Sequence, residues 1–416
     1  MPRHLARLLL LPLGFGLAAV PAGAQEPEPS PNVPVQERPR PDYDPLGIRA
    51  GAFLIFPALR VEGAYDDNVF ATSDDEVDDW LAVVAPRITA RSQWSRHALA
   101  ADLGGSFGFY KDTDENNFQD FDGGLNGRLD ITRMNSLSAG LRAGRRHEPR
   151  DAPDAEALDE EDDVTEFYFA NFTPSYRHNF NRVFTVVRGD LQRTDFQDNG
   201  DVDNDDRDRW RYGGGLRIGY ALSPRFNLFT QGDYRFVRYD RTGAVNRDNE
   251  GYTLRVGSEV DITGLIFGEL SLGYTSVDYE DPDLEEANGL SADGQITWNI
   301  TPLTTLIFSA AAEVEETTVG EDADVASGNL QYRAGVDATH ELLRNLLVNV
   351  GAGYVRDDFQ GIPRTDNSFR LGAGLSYLIN RNFAVTAGYT YSMRDSDEDD
   401  AEYTRNLFRV GITARM

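Results

Sequence analysis

The sequence predicts an all-β protein, a transmembrane antiparallel up-and-down β-barrel of about eighteen strands, with sixteen to twenty left open by the pattern. Three observations carry this. Apolar and polar residues alternate in segments of roughly ten residues, the length at which a tilted strand crosses a bilayer. Long acidic segments and short turns take strict turns between those segments. The chain opens with the cationic and then apolar stretch of an exported protein. The last segment shows the alternation plainly, with Phe408, Val410, Ile412, Ala414 and Met416 on one face and Arg409, Gly411, Thr413 and Arg415 between them.

At the N-terminus, Arg3, His4 and Arg7 precede the apolar run Leu8 to Val20, and Ala22-Gly23-Ala24 supplies a small-x-small cleavage site. Residues 1–24 are expected to be a signal peptide, leaving a mature chain that starts near Gln25. Residues 25–45 hold Pro27, Pro29, Pro31, Pro34, Pro39, Pro41 and Pro45 among Glu, Gln and Arg. That composition reads as an extended periplasmic linker, an unstructured tether with no activity of its own, or else a polyproline segment that docks on a partner.

Residues 46–416 form the expected barrel. The first strand lies near Leu54 to Tyr65 and leads into Asp66 to Asp79, which holds seven acids; the second runs from Leu81 to Arg91, and Gln93 to Arg96 turn the chain. Leu99 to Tyr110 is the third, with Leu99, Ala101, Leu103, Phe107 and Phe109 on one face. Later strands centre on 121–131, 136–146, 166–176, 182–193, 209–220, 226–237, 251–262, 266–277, 289–300, 304–315, 328–339, 346–356, 368–379, 383–394 and 404–416. The even count suits a closed barrel with both termini on one side. Phe167, Tyr168 and Phe169 break the alternation near residues 165–195, where the count is least secure. A soluble sandwich also alternates, but aromatics gathered at strand ends (Tyr65, Phe109, Tyr110, Tyr220, Tyr234, Tyr354, Tyr377) and the strict alternation of loop lengths favour the membrane barrel.

No later segment approaches the ~18 consecutive apolar residues of a membrane helix, which excludes a helical membrane protein. There is no cysteine, so neither disulfides nor thiolate metal sites hold the fold. Net charge is −29, and loss of Arg3 and Arg7 with the signal takes it to −31, a balance that repels nucleic acid.

The opening of the folded part, Gly51-Ala52-Phe53-Leu54-Ile55-Phe56-Pro57-Ala58-Leu59-Arg60-Val61-Glu62-Gly63-Ala64-Tyr65-Asp66-Asp67-Asn68-Val69-Phe70, resembles the opening of the putative beta-barrel porin 2 family. The cue is a Pro-containing first strand that ends in Tyr-Asp-Asp-Asn-Val-Phe. The resemblance implies an outer-membrane barrel without catalytic residues, some of whose relatives are associated with exopolysaccharide secretion. Met416 stands where outer-membrane barrels usually end in an aromatic residue; Phe408 and the apolar face partly replace that signal to the barrel-assembly machinery.

If the apolar residues face lipid, the opposite face carries Arg60, Arg87, Arg91, Asp102, Arg128, Arg142, Arg188, Arg217, Asp233, Arg235, Arg255, Glu259, Arg333, Arg370 and Arg409 toward the lumen. Such charges must be wetted or paired. They make either a hydrated pore that biases ion or sugar passage, or a set of cross-strand ion pairs packing a closed lumen. The outer loops are acidic: Asp74-Asp75-Glu76, Asp159 to Asp163, Asp201 to Asp208, Asp278 to Glu286 and Asp395 to Asp400. They read as solvated tips or as weak divalent-cation sites that bridge loops to lipopolysaccharide; Asp201-Val202-Asp203-Asn204-Asp205 has the start of a calcium loop, but Asp206 and Tyr212 replace its Gly and Glu. Of His97, His147, His178 and His340, only His147 falls at the outer rim, where Arg145, Arg146 and Glu148 make it a polar rim residue and no catalytic base is indicated. No cofactor site is expected. The leading expectation is a passive channel in the outer membrane of a Gram-negative bacterium, for ions and small hydrophilic solutes. The alternatives are an exopolysaccharide conduit working with a periplasmic polysaccharide-export protein, and a plugged structural barrel.

Overall fold

The computed structural model describes residues 33–155, 162–199, 203–241, 245–321 and 324–416. The expected signal peptide lies outside the described residues, as do residues 25–32 of the Pro-rich segment and parts of two acidic loops. The described chain closes into one ring of eighteen antiparallel strands. These are β1 (Phe53–Asp66), β2 (Asp79–Ser92), β3 (Ala98–Tyr110), β4 (Phe118–Asp130), β5 (Asn135–His147), β6 (Glu166–Phe180), β7 (Val183–Phe196), β8 (Arg209–Ser223) and β9 (Phe226–Tyr239). The ring continues through β10 (Asn249–Ile262), β11 (Ile266–Tyr279), β12 (Ala287–Thr301), β13 (Thr304–Glu315), β14 (Gly328–Leu343), β15 (Leu346–Gln360), β16 (Thr365–Leu378), β17 (Phe383–Ser396) and β18 (Tyr403–Arg415). Each strand pairs with the next, and β18 returns to β1 in a register that runs from Ala58 opposite Arg415 to Asp66 opposite Leu407. A three-residue strand, Ile48–Ala50, folds back on the start of β1.

The alternation has the consequence the bilayer demands. On β10 the outward residues Leu254 and Val256 are 59% and 66% exposed, and Leu272, Leu371 and Val410 on other strands are likewise open. In water an apolar band of this size would drive aggregation; against hydrocarbon it is the low-energy face. Every strand of the ring is 12 residues or longer, more than the ~9–11 that a tilted crossing uses. Tight turns close the other end. Thr263 and Gly264 both take positive φ, 59° and 73°, between β10 and β11, the conformation that matches a hairpin turn to the twist of its strands.

Around residues 165–195 the count resolves into β6 and β7. Tyr168 and Phe172 face outward, whereas Phe169 is buried on the inner side, where the Arg146 guanidinium stacks over its ring at 4.8 Å. Phe167 packs on Phe196 of β7 with ring centroids 5.2 Å apart. Aromatics on both faces hid the alternation in this stretch.

One expectation is corrected. The Pro-rich segment is not a free tether over its described part, because residues 33–45 lie against the inner wall at the short-turn end. Val35 is fully buried, and its N–H donates to Thr305 Oγ1 at 2.9 Å. Arg40 pairs with Glu341 at 2.7 Å, both side chains buried. Arg344, Arg381 and Arg415 then donate to the carbonyls of Pro39, Pro41 and Tyr43 at 2.8, 2.9 and 3.0 Å. The segment follows the rim from β12 to β18 and covers Asn299, Thr305 and Glu341, all buried. Its carbonyls, which proline leaves without competing N–H partners, suit a wall studded with arginine donors.

Candidate channel lumen

All fifteen charged residues that the alternation assigns to the lumen lie on the face opposite the exposed apolar side chains. Their contacts require a concave surface. Arg217 on β8 forms a two-pronged pair with Glu269 on β11 at 2.7 and 2.9 Å, a reach across two intervening strands. The same guanidinium lies 3.5 Å from Glu259, donates to Gln231 at 2.8 Å and stacks on the Phe229 ring at 3.8 Å. Gln231 passes the network to Asp233 at 2.7 Å, and Arg188 meets Asp233 at 2.7 Å. One wall, β7 to β11, is thus a continuous chain of paired charges.

Elsewhere the pairs are shorter. Arg142 meets Asp122 at 2.5 Å, Arg128 meets Asp130 at 3.2 Å, and Arg333 pairs with Glu313. Arg60 lies 3.6 Å from Glu62, Arg255 donates to Ser291 at 2.7 Å, and Arg409 donates to Thr390 at 3.0 Å. Arg235 donates to the Val314 carbonyl at 3.1 Å and approaches Glu316 at 3.5 Å. Asp102 lies beside Gly124, where a Cβ would stand 2.7 Å from its carboxylate, and Arg87 lies beside Gly104 in the same way at 3.3 Å. Arg91, half-buried near the turn after β2, belongs to the same face. Glycines opposite long side chains therefore make room for charge in the lumen.

The alternation does not reveal what enters the lumen from the loops. The segment between β5 and β6 folds inward and crosses to the far wall. Asp151 accepts from Arg370 Nη2 of β16 and from the Tyr403 hydroxyl of β18, both at 3.3 Å onto Oδ2, while Arg394 of β17 donates to the Asp151 carbonyl. Burial raises the Asp151 carboxyl, but Arg405, Arg370 and Arg394, with the Tyr403 hydroxyl, overcome it and hold the group below the ordinary carboxylate range. The base of the loop is clamped by Glu148, which takes both prongs of Arg207 at 2.6 and 3.0 Å with Phe196 stacked 4.0 Å from the guanidinium. Asp154 accepts from the Thr317 hydroxyl and the Thr318 N–H at 2.8 Å each, tying in the segment between β13 and β14.

The remaining expected sites fall at the rims. His147 Nδ1 lies 3.0 Å from Asp120, and its ring stacks on Phe118 at 4.2 Å, as a rim pairing. In the calcium-like stretch, Asp201 and Val202 lie outside the described residues. Asp198, Asp203 and Asp205 bring carboxylate oxygens within 4.8 Å of one another, and Arg241 pairs with both Asp203, at 3.0 Å, and Asp205.

A closed ring with an apolar outside and a charged inside is the geometry of a porin, and the sequence profile of the putative beta-barrel porin 2 family matches residues 40–416. The chain belongs to that family. The match of this beta-barrel porin begins at Arg40, within the segment that lines the short-turn end. The sequence matches none of the curated proteins. Among solved structures it is similar to OccK9 (OpdG) of Pseudomonas aeruginosa, with 11% identity, a TM-score of 0.47, and 88% of this chain and 98% of that one covered. OpdL of the same organism gives 13% identity and a TM-score of 0.43 over 88% and 100% of the two chains. The siderophore receptor PirA, also from P. aeruginosa, gives 8% identity and 0.42 over 87% and 80%. A siderophore receptor and the Opd proteins match this porin about equally, so the likeness says nothing about its solute.

Two groups of residues of this porin are missing from the fifteen that the alternation assigns to the lumen. Arg405 and Arg394 lie on the inner face, and the former sits four residues from Arg409, so extending the pattern to the strand ends finds them. Asp151, Arg40 and Val35 have no such signal, because their segments carry no period.

Proposed function

We propose that this protein is a passive outer-membrane channel for ions and small hydrophilic solutes. The carrying observation is a closed eighteen-strand ring whose inner face is lined by arginine–carboxylate pairs that stay open to the interior, with the paired Arg188 and Arg142 side chains 38% and 43% exposed. At this strand number the interior is wide enough to leave an aqueous path around inward-folded segments. In this reading the chain is exported, cleaved near Gln25 and inserted by the barrel-assembly machinery of a Gram-negative cell. The acidic loops then face outward toward lipopolysaccharide, and residues 33–45 lie at the periplasmic mouth. Neither the family match nor the lumen geometry favours exopolysaccharide export.

A second reading, a plugged barrel, draws on the two segments that enter the lumen. Single-channel conductance of the refolded mature chain in a planar bilayer separates the two. Steady openings in potassium chloride support the channel, and a correctly folded barrel that never opens overturns it in favour of the plug.

A further inference from the structure

The fixed part of the contact around Asp151 is a patch on three adjacent strands. Arg370 on β16 stands opposite Ser392 on β17, and Ser392 stands opposite Arg405 on β18. Arg394 and Tyr403 are direct cross-strand partners one step nearer the loop end. All four side chains project from the hydrogen-bonded wall, so their positions are set by the ring. Asp151 arrives instead on a loop from the opposite side of the lumen. It is the removable member.

The donors of the patch point to an anion. Asp66 engages Arg405 through Nε at 2.9 Å to each carboxylate oxygen. Arg370, Arg394 and Tyr403 turn donors to Asp151, while Arg405 is held by Asp66. Shape narrows the class further. The acceptors that Asp151 presents are its carboxylate, to Arg370 and Tyr403, and its own backbone carbonyl, to Arg394. From side-chain carboxyl carbon to backbone carbonyl carbon is a four-carbon chain with an oxygen function at each end, the skeleton of a short dicarboxylate. Tyr403 and Arg394 are buried, at 5% and 7% side-chain or residue exposure, so charge-assisted hydrogen bonds to this ligand form in a partly desolvated site.

We propose that Arg370, Arg394, Arg405 and Tyr403 form a binding station for short dicarboxylates, four-carbon acids in particular, and that Asp151 occupies it as an internal stand-in until a solute displaces it. This deepens the channel reading and rests on it. The ligand brings a charge to each end where Asp151 has one charged and one neutral acceptor, which is what lets it compete with a tethered group already in place.

The test uses the full mature chain, refolded in detergent, with succinate, acetate and chloride compared at matched ionic strength. Asp151→Gly removes the carboxylate that Arg370 and Tyr403 hold and leaves only the backbone carbonyl to Arg394. Succinate should then raise the thermal midpoint saturably and bind at least tenfold tighter than to the parent protein, with acetate weaker and chloride without specific effect. Arg394→Gln in the Asp151→Gly background should lose that binding by tenfold or more. If Asp151→Gly does not fold, Asp151→Asn keeps the shape, removes the charge and should still bind succinate more tightly than the parent. Equal responses to succinate and chloride, or equal affinity in parent and variant, overturn the proposal. Conductance of the parent in potassium chloride is a separate measurement, so failure of the station leaves the channel reading standing, and a closed channel does not by itself remove the binding.

Discussion

Deleting residues 25–45 should widen the mouth at the short-turn end by an amount the geometry sets. Eighteen strands at ~4.8 Å spacing, tilted ~40°, give a circumference of roughly 113 Å and a radius of roughly 18 Å to the Cα atoms. Inward side chains reduce the free radius to roughly 12 Å, and an extended chain with its side chains is about 10 Å deep, as between packed sheets. The segment contacts β12 through β18, six of eighteen inter-strand steps. It therefore fills about a third of the mouth. Removing it raises the free area roughly 1.5-fold, and the inturned loop, acting in series with comparable resistance, reduces the gain in conductance to roughly 1.2-fold. The expected window is 1.2- to 1.5-fold, read from single-channel steps of parent and deletion variant in the same salt. Arg40→Ala, which leaves Glu341 with only the 3.4 Å contact to Arg344, should loosen the segment and add open-channel noise. An unchanged step size in a folded deletion variant would refute the reasoning, since the segment would then lie clear of the conducting path.

Arg217→Ala strips the shared counter-charge from Glu259 and Glu269. One unit charge at ~5 Å in water is worth about 0.8 kcal/mol, roughly fourfold in local cation concentration, so the reversal potential in a salt gradient should move toward cation selectivity. Gly273→Val places a Cβ 1.8 Å from the Leu254 carbonyl oxygen, so β10 and β11 must shift at a cost of about 1–3 kcal/mol, whereas Gly353→Ala meets nothing within 4 Å. Urea midpoints of the folded barrel should drop for the first and stay put for the second. For pH, the Asp151 carboxyl is held down, so its anchoring is complete above the ordinary Asp value of about 3.9 and is lost as pH falls through the lower folded value. Open-channel noise should be flat from neutral pH to about 5 and rise only in stronger acid; a rise near neutrality would assign the anchoring to another group.

The strands were legible because a bilayer imposes a period of two that most of the chain keeps. Leu254, Val256 and Leu272 must meet lipid, and once they are placed the parity of Arg255, Glu259 and Glu269 follows. Where Phe167 and Phe169 turned inward to pack on Phe196 and under Arg146, hydrophobicity no longer marked the lipid face, and the count became uncertain. The segments inside the lumen were illegible for a different reason. A polar interior buries polar chain at little cost provided its carbonyls and carboxylates find donors, so burial there leaves no apolar signature. Val35 is fully buried, but one of two valines among prolines is no signal. Asp151 is one acid in a chain of 69 acidic residues.

The choice of cation explains how such a lumen holds a fixed pattern. Lys111 is the one lysine among forty Lys and Arg residues, and it sits exposed in a loop. Every lumen cation is an arginine. A guanidinium presents several donors in a rigid plane, so Arg217 can serve Gln231, Glu259 and Glu269 together while stacking on Phe229, and Arg207 can take both oxygens of Glu148 over Phe196. An ammonium on a flexible stem would make one of these contacts at a time. Because arginine stays protonated, the wall keeps its charge at any pH the cell meets. The acidic excess lies mostly in the loops, where it is screened over about 8 Å at physiological ionic strength, while the paired charges inside are screened far less. On the channel reading proposed above, solute discrimination belongs to the wall, and within it to β16–β18, where Arg370 and Tyr403 meet the Asp151 carboxylate and Arg394 its backbone carbonyl.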